Sequence, residues 1–333
     1  MRAETAAPPA GSRTVPGQGN GWAGGPLRFL RENTALLLLL LLVAGGTWLS
    51  DVFLTPRNLL NILWAVSILG VVCLGQSVLL ITGNFDMSVA SVVGFAGIAT
   101  VSAQIAGLGL PASVMIGLGA GLLVGLVNGL LVVATGASPF LITLGTFTLV
   151  YALSLITTQS KTLYATIPAF NLLGRGQLFG VLHYSVLLFL CLALVLELVL
   201  RRTVLGRTLY VIGLNETAGR LSGLRVGAVK LAAFTLSGGC AALAGLIMTS
   251  RTNSTVANAG FGMEFDSIIA AVLGGTSLFG GRGGALRTVV GVAVLGVLNN
   301  LLILLNVPIE AQQIDKGAVF LTVIWADSLV RRA

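Results

Sequence analysis

Phe85-Asp86-Met87-Ser88-Val89-Ala90-Ser91-Val92-Val93-Gly94 returns, altered, as Phe265-Asp266-Ser267-Ile268-Ile269-Ala270-Ala271-Val272-Leu273-Gly274. The two stretches agree at Phe, Asp, Ala, Val and Gly. Downstream, Gly125-Leu126-Val127-Asn128 pairs with Gly296-Val297-Leu298-Asn299, and upstream Cys73 and Thr82 pair with Cys240 and Thr249. The order is the same in both copies, which makes this an internal repeat of largely apolar units. Its meaning depends on how many times the chain crosses a bilayer between the copies.

A crossing takes about 20 mainly apolar residues. On that length the sequence divides into ten spans, at 33–50, 62–82, 88–106, 112–134, 139–158, 181–200, 229–250, 265–279, 286–305 and 313–330. Spans two to five then correspond to spans seven to ten. An offset of five spans is odd, so the two copies cross in opposite directions, the inverted-topology repeat of many transporters. The expected fold is an all-α integral membrane protein of about ten transmembrane helices with two inverted repeats. The eighth span is interrupted by Gly274 and Gly275, and residues 265 to 273 are too few to cross alone, which predicts a broken helix.

Composition agrees. Of 333 residues 56% are hydrophobic and only 9% charged, with a mean hydropathy of +0.98, whereas a soluble domain is about a quarter charged. A secreted enzyme, a disordered regulator and a cytosolic nucleotide-binding fold all need more water-facing surface. The net charge of +8 is no nucleic-acid signal, because the 19 basic residues are scattered among apolar runs. They read instead as topology markers. With a cytoplasmic N-terminus, fourteen fall on the inner face, four (Arg57, Lys161, Arg175, Arg251) fall outside, and Lys316 lies within the last span. Both ends are then cytoplasmic. Residues 1–26, rich in Gly, Pro, Ala and Ser, read as a disordered cytoplasmic tail, and 27–333 as the membrane domain with a cytoplasmic loop at 201–228. The first span follows a long tail, lacks an A-x-A site and reads as uncleaved. Cys73, Cys191 and Cys240 lack ligand spacing and are assigned no disulfide.

Some chemistry is missing. No G-x-x-x-x-G-K-[ST] phosphate loop occurs, His183 stands alone, and Glu197 sits near the basic inner end of span six. Neither a nucleophile with its base nor a metal set is visible, and ion-coupled carriers need ionisable groups at mid-depth that are scarce here. Transport powered by a separate subunit is the reading left, with no cofactor in this chain.

Four features carry the candidate sites. The stretch from Arg201 to Lys230 holds six basic residues. Within it Gly213 to Gly223 reads as a short helix, capped by Asn215 and ended by Gly223, with Glu216 and Arg220 between. It is either an ordinary basic loop or a lever docking into a partner. Asp86 and Asp266 head spans three and eight, where an acidic side chain favours the positive helix end; direct solute contact by Asp86, beside Asn84, is the minority reading. Span five opens Ser138-Pro139-Phe140, with proline in a first helical turn, and Phe140, Thr143 and Phe147 recur at i, i+3 and i+7, with Thr146 alongside. This face lines a pore or packs against other helices. Gly274, Gly275 and the glycines at 280, 281, 283 and 284 permit close packing or a helix break.

The same residues resemble a known family, the integral-membrane permeases of ribose-type sugar ABC importers, in the superfamily that also holds branched-chain amino-acid permeases. The resemblance runs from about Asn58 to Asp327. It is carried by Thr82-Gly83-Asn84-Phe85-Asp86-Met87-Ser88-Val89, by Pro139-Phe140-Leu141-Ile142-Thr143-Leu144-Gly145-Thr146, by the Gly206-to-Gly223 loop, and by Leu273-Gly274-Gly275-Thr276-Ser277-Leu278-Phe279-Gly280-Gly281-Arg282-Gly283. Four blocks in this order are specific where one is not. The family often has Gly where Asn84 and Ala90 stand, and Ala where Gly219 stands.

The resemblance implies a permease of the bacterial inner membrane that dimerises with itself or a paralogue. It implies two cytoplasmic ATPase subunits, which bind ATP and Mg, and an extracytoplasmic solute-binding protein that delivers a small sugar. The Gly206-to-Gly223 loop corresponds to the family's coupling helix, seated in the ATPase. Other readings stay open: branched-chain amino acids, nucleosides or another small solute on the same machinery, an ion-coupled secondary carrier, and a non-transporting scaffold.

Overall fold

The computed structural model describes residues 34–332. The tail predicted at 1–26, with Arg2 and Arg13, lies outside the described residues. Each of the ten apolar stretches carries a helix, although the eighth, predicted at 265–279, is helical only as far as Leu273. α1 spans Thr34–Leu49, α2 Pro56–Ile81, α3 Val89–Ile105, α4 Leu110–Thr135 and α5 Pro139–Thr158. After a segment carrying the two-residue strands β1 (Leu163–Tyr164), β2 (Gln177–Leu178) and β3 (Leu182–His183) and the short α6 (Leu172–Arg175), α7 runs over Tyr184–Arg202. Then come α8 (Val204–Leu214), α9 (Glu216–Leu221), α10 (Val226–Thr252), β4 (Ser254–Thr255), α11 (Met263–Leu273), α12 (Ala285–Leu304) and α13 (Ile309–Arg332). Among the described residues six helices are long and apolar enough to cross a membrane: α2, α4, α5, α7, α10 and α12.

Burial separates the helices more than hydropathy does: 78% of the apolar stretch of α2 is buried and 17% of that of α5, at mean hydropathies of 2.1 and 1.9. α2 packs at the centre against α10, α12, α11 and α7. α10 is the second axis, crossed by α4, α2 and α3. Small residues set the approach: a Cβ on Gly125 would stand 2.4 Å from the Phe234 carbonyl oxygen, and one on Gly238 2.2 Å from that of Gly121. Close backbone contact is the usual substitute for a hydrophobic driving force between helices in lipid.

α3 and α11 are the short members. α11 has 11 residues, about 16 Å at 1.5 Å per residue, roughly half of a bilayer core. It stops at Leu273 where Gly275 takes a φ of +93°, so the break expected at Gly274 and Gly275 is present. At the end opposite to the α2–α3 turn, β1 pairs antiparallel with β4, and the Gln104 side-chain oxygen accepts from the backbone N–H groups of Thr166 and Ile167 at 3.1 and 3.3 Å. The three cysteines are free.

Candidate functional site

The basic stretch folds into an arm of two helices. Thr203 caps α8 by accepting from the Gly206 N–H at 3.1 Å. Asn215 caps α9 by accepting from the Ala218 N–H at 3.0 Å, and Gly223 follows α9 with a φ of +79°, the left-handed conformation that ends helices on glycine. Both ends of the short helix are as the sequence predicts. The Glu216 carboxylate receives Lys230 at 2.5 Å and Arg220 at 2.7 Å. The hydrogen bond from Lys230, helped by Arg220 and opposed by partial burial, holds the Glu216 carboxyl below its ordinary range. This clamp ties α9 to the start of α10 and leaves Leu214 and Leu221 on the surface, 70% and 85% exposed. Two exposed leucines beside the arginines make a surface fit for a protein groove.

The arm meets the helix bundle through backbone. A Cβ on Gly213 would stand 1.9 Å from the Ile81 carbonyl oxygen and 2.5 Å from the Gly281 nitrogen. That same Ile81 oxygen accepts from the Gly281 N–H at 2.9 Å, and Gly280 approaches both Gly213 and Gly83. Gly213 therefore touches, at one point, the end of α2 and the loop that follows α11. The Tyr210 hydroxyl adds a bond to the Gly283 carbonyl at 3.0 Å.

From that junction the α2–α3 turn, Thr82 to Ser88, runs through the interior. Asn84 donates to the Thr82 carbonyl at 3.0 Å and to the Thr82 hydroxyl at 2.9 Å. Asp86, fully buried, accepts from the Ser88 N–H at 2.8 Å and the Ser88 hydroxyl at 2.6 Å. Asn128 of α4 donates to the Ser88 hydroxyl at 2.8 Å, and the Thr143 hydroxyl of α5 accepts from the Met87 N–H at 3.0 Å. Asp86 and Asn84 thus shape a turn, and both are buried.

The predicted face of α5 divides. Thr143 is buried and holds the turn, and Thr146 is 8% exposed with its hydroxyl on the Ile142 carbonyl. Phe140 and Phe147 stand on the open side, Phe140 at 6.0 Å from Phe85 and Phe147 at 5.3 Å from Phe261. Tyr151 closes the cluster at 4.8 Å from Phe261. Elsewhere, Gly274 packs against α12, where a Cβ would stand 2.3 Å from the Arg287 carbonyl oxygen, while Gly275 serves through its backbone conformation.

Three elements of the site escaped sequence reasoning. Glu197, nearly buried, pairs with Arg201 and accepts from the Leu286 N–H at 3.1 Å, so the end of α7 caps the start of α12. Asp266 pairs with Lys316 at 2.9 Å, which gives the cation of the last helix its counter-charge. The aromatic partners Phe85 and Phe261 come from turns far from α5 in sequence, and no local signal announces them.

The sequence that builds this arrangement is similar to those of known proteins. The family profile described as the permease component of branched-chain amino acid transport systems covers residues 58–324. The chain is 37% identical to the ribose import permease protein RbsC of Bacillus subtilis (strain 168) over 291 residues, covering 87% of this chain and 90% of the relative. It is 30% identical to the D-allose transport system permease protein AlsC of Escherichia coli (strain K12), covering 91% and 93%. With the autoinducer 2 import system permease protein LsrC of Escherichia coli (strain SMS-3-5 / SECEC) it shares 33%, covering 92% and 90%. No solved structure matches the chain. A profile match over most of the chain, together with relatives aligned nearly end to end, shows that this protein belongs to the permease-component family of branched-chain amino acid transport systems.

Proposed function

We propose that this chain is the membrane-spanning permease subunit of an ATP-binding cassette importer for a monosaccharide. It works as a dimer with two separate ATPase subunits, which hold ATP and Mg, and receives solute from an extracytoplasmic binding protein. The observation that carries the reading is the seat of Gly213: α8, which leads directly into the outward-facing α9, is joined backbone to backbone to the turns of both motif blocks. Motion imposed on α9 by an ATPase reaches the α2–α3 turn and the loop after α11 together, because the junction has no slack. The sugar class follows the relatives named for ribose and D-allose.

Ten crossings with inverted repeats and cytoplasmic ends complete the proposal. The packing pairs support it. α4 lies on α10 as α12 lies on α2, α3 lies on α4 as α11 lies on α12, and α3 packs on α10 and α5 as α11 packs on α2 and α13. Exchanging spans two to five with seven to ten leaves that set unchanged. The arm, the α2–α3 turn and the loop after α11 share one end, where the inside loops belong. Phe140, Phe147, Tyr151 and Phe261 offer aromatic faces to the apolar C–H faces of a sugar along the pathway.

The test replaces Glu216 and Arg220 together by Ala in the full transporter. ATP-driven uptake is expected to fall to background while the chain still reaches the membrane. Intact uptake contradicts the role of α9.

A further inference from the structure

Between α2, α10 and α12 lies a cavity of about 460 Å³ that shares no residue with the aromatic face. Its polar groups gather where the three helices end: Asn61 near the start of α2, Arg251 at the end of α10, and Asn299 in the last turns of α12. Its apolar wall, Ile62, Val66 and Leu69, continues inward from Asn61 along α2, over about 12 Å. The far wall is Ile303, 61% exposed, so the cavity opens outward.

The charge in this cavity is uncompensated. The Arg251 guanidinium lies 3.8 Å above the Trp64 ring, and Trp64 stacks on His183 at 4.1 Å. Stacking holds the plane and leaves the N–H edge for another acceptor. Among the described residues no carboxylate lies within ion-pair distance of Arg251, and neither its guanidinium nor the amides of Asn61 and Asn299 have a hydrogen-bond partner. The neighbouring Asn58 and Asn300, in contrast, satisfy each other with reciprocal bonds of 2.9 Å. A half-buried cation with free amides at a helix end, followed by an apolar wall running toward the bilayer interior, has the polarity gradient of a phospholipid.

We infer that this cavity binds an anionic phospholipid, with its phosphate on Arg251 and the Asn61 and Asn299 amides, and an acyl chain along Ile62, Val66 and Leu69. The site rests on the chain being embedded in a membrane and not on which solute crosses it. Its failure therefore leaves the transport reading untouched.

The experiment titrates the purified full-length chain in mild detergent with phosphatidylglycerol, with phosphatidylcholine of the same acyl chains, and with glycerol 3-phosphate, and counts bound molecules by native mass spectrometry. Wild type is expected to prefer phosphatidylglycerol by about tenfold, because the choline cation of phosphatidylcholine is repelled by Arg251 and offsets the phosphate charge while the glycerol headgroup is neutral, and to bind no glycerol 3-phosphate. Arg251→Gln is expected to remove the preference. Ile303→Trp, at an exposed position that folding tolerates, narrows the cavity, leaves Arg251 intact and is expected to lower phosphatidylglycerol binding as well. Equal binding of the two lipids by wild type, wild-type preference in Arg251→Gln, undiminished phosphatidylglycerol binding in Ile303→Trp, or glycerol 3-phosphate binding as well as the lipid overturns the inference.

Discussion

Gly213 is pressed so closely on the carbonyl of Ile81 that a methyl group would stand 1.9 Å from that oxygen, against an ordinary contact of 3.4–4 Å. No side chain mediates between the arm and the bundle at this point, so the arm cannot shift toward α2 without moving it. Gly213→Ala is expected to push α8 away from Ile81 and Gly281, at a cost of about 1–3 kcal/mol as in other overpacked sites. The measurement is ATP-driven uptake together with thermal unfolding of the purified chain, and both should fall. Gly219 is the control. Its nearest atoms stand at 3.8 Å, so Gly219→Ala should keep uptake and strengthen α9 by up to about 1 kcal/mol; equal damage from both variants contradicts the special position of Gly213.

The Glu216 clamp carries a pH signature. Its carboxyl titrates below its ordinary 4.5 because of Lys230 and Arg220, so the folded arm binds the proton less readily than the unfolded one. The contribution of the clamp is complete above the unfolded value and is lost as pH falls through the lowered folded value. Limited proteolysis of the 201–228 loop should therefore be flat from neutral pH down to about 5 and accelerate below it. In Glu216→Gln, which keeps the shape but not the charge, cleavage is expected to be faster at neutral pH and free of that acid step.

Asp86 separates a structural role from solute contact. Its Oδ1 takes both Ser88 bonds, an arrangement that an amide oxygen can reproduce. Asp86→Asn is expected to retain most uptake at matched expression. Asp86→Ala strands the two donors in the interior, costs about 1–3 kcal/mol and should lower the amount of folded protein in the membrane. Loss of transport in the Asn variant, with folding intact, would assign Asp86 to the solute after all.

On α5, cysteines introduced at positions 140 and 147 should react with a water-soluble maleimide in the assembled transporter, and those at 143 and 146 should not. The labelling background replaces Cys191, the exposed native thiol, by Ser and leaves Cys73 and Cys240, which are buried. Protection of position 147 by ribose is expected if the aromatic cluster lies on the pathway. Uniformly unreactive positions would make this face a packing surface.

Much of the fold is legible because lipid enforces a simple rule: each predicted span carries a helix, the eighth only as far as Leu273, and the Asn215 and Gly223 ends of α9 follow from local backbone chemistry. The break at Gly274 and Gly275 follows from length. What the sequence hides is contact between distant elements. Phe147 lies about 20° from Phe140 around the helix axis and Thr143 about 60° from it in the same sense, so Thr143 is at the edge of the face, where it turns into the interior against Met87. Periodicity places all three on one broad face and cannot tell which edge is covered. The β1–β4 pairing joins strands of two residues each, too short to leave a pattern. Glu197 reads as an ordinary acid in a basic turn, because its role as a cap for α12 depends on a helix 89 residues away.

The most direct test purifies the chain and reconstitutes it twice into sealed vesicles, once alone with proton and sodium gradients and once with its ATPase, binding protein and internal ATP. The account predicts uphill accumulation of sugar only in the second preparation. Uphill accumulation by the lone chain, driven by either gradient, would contradict it.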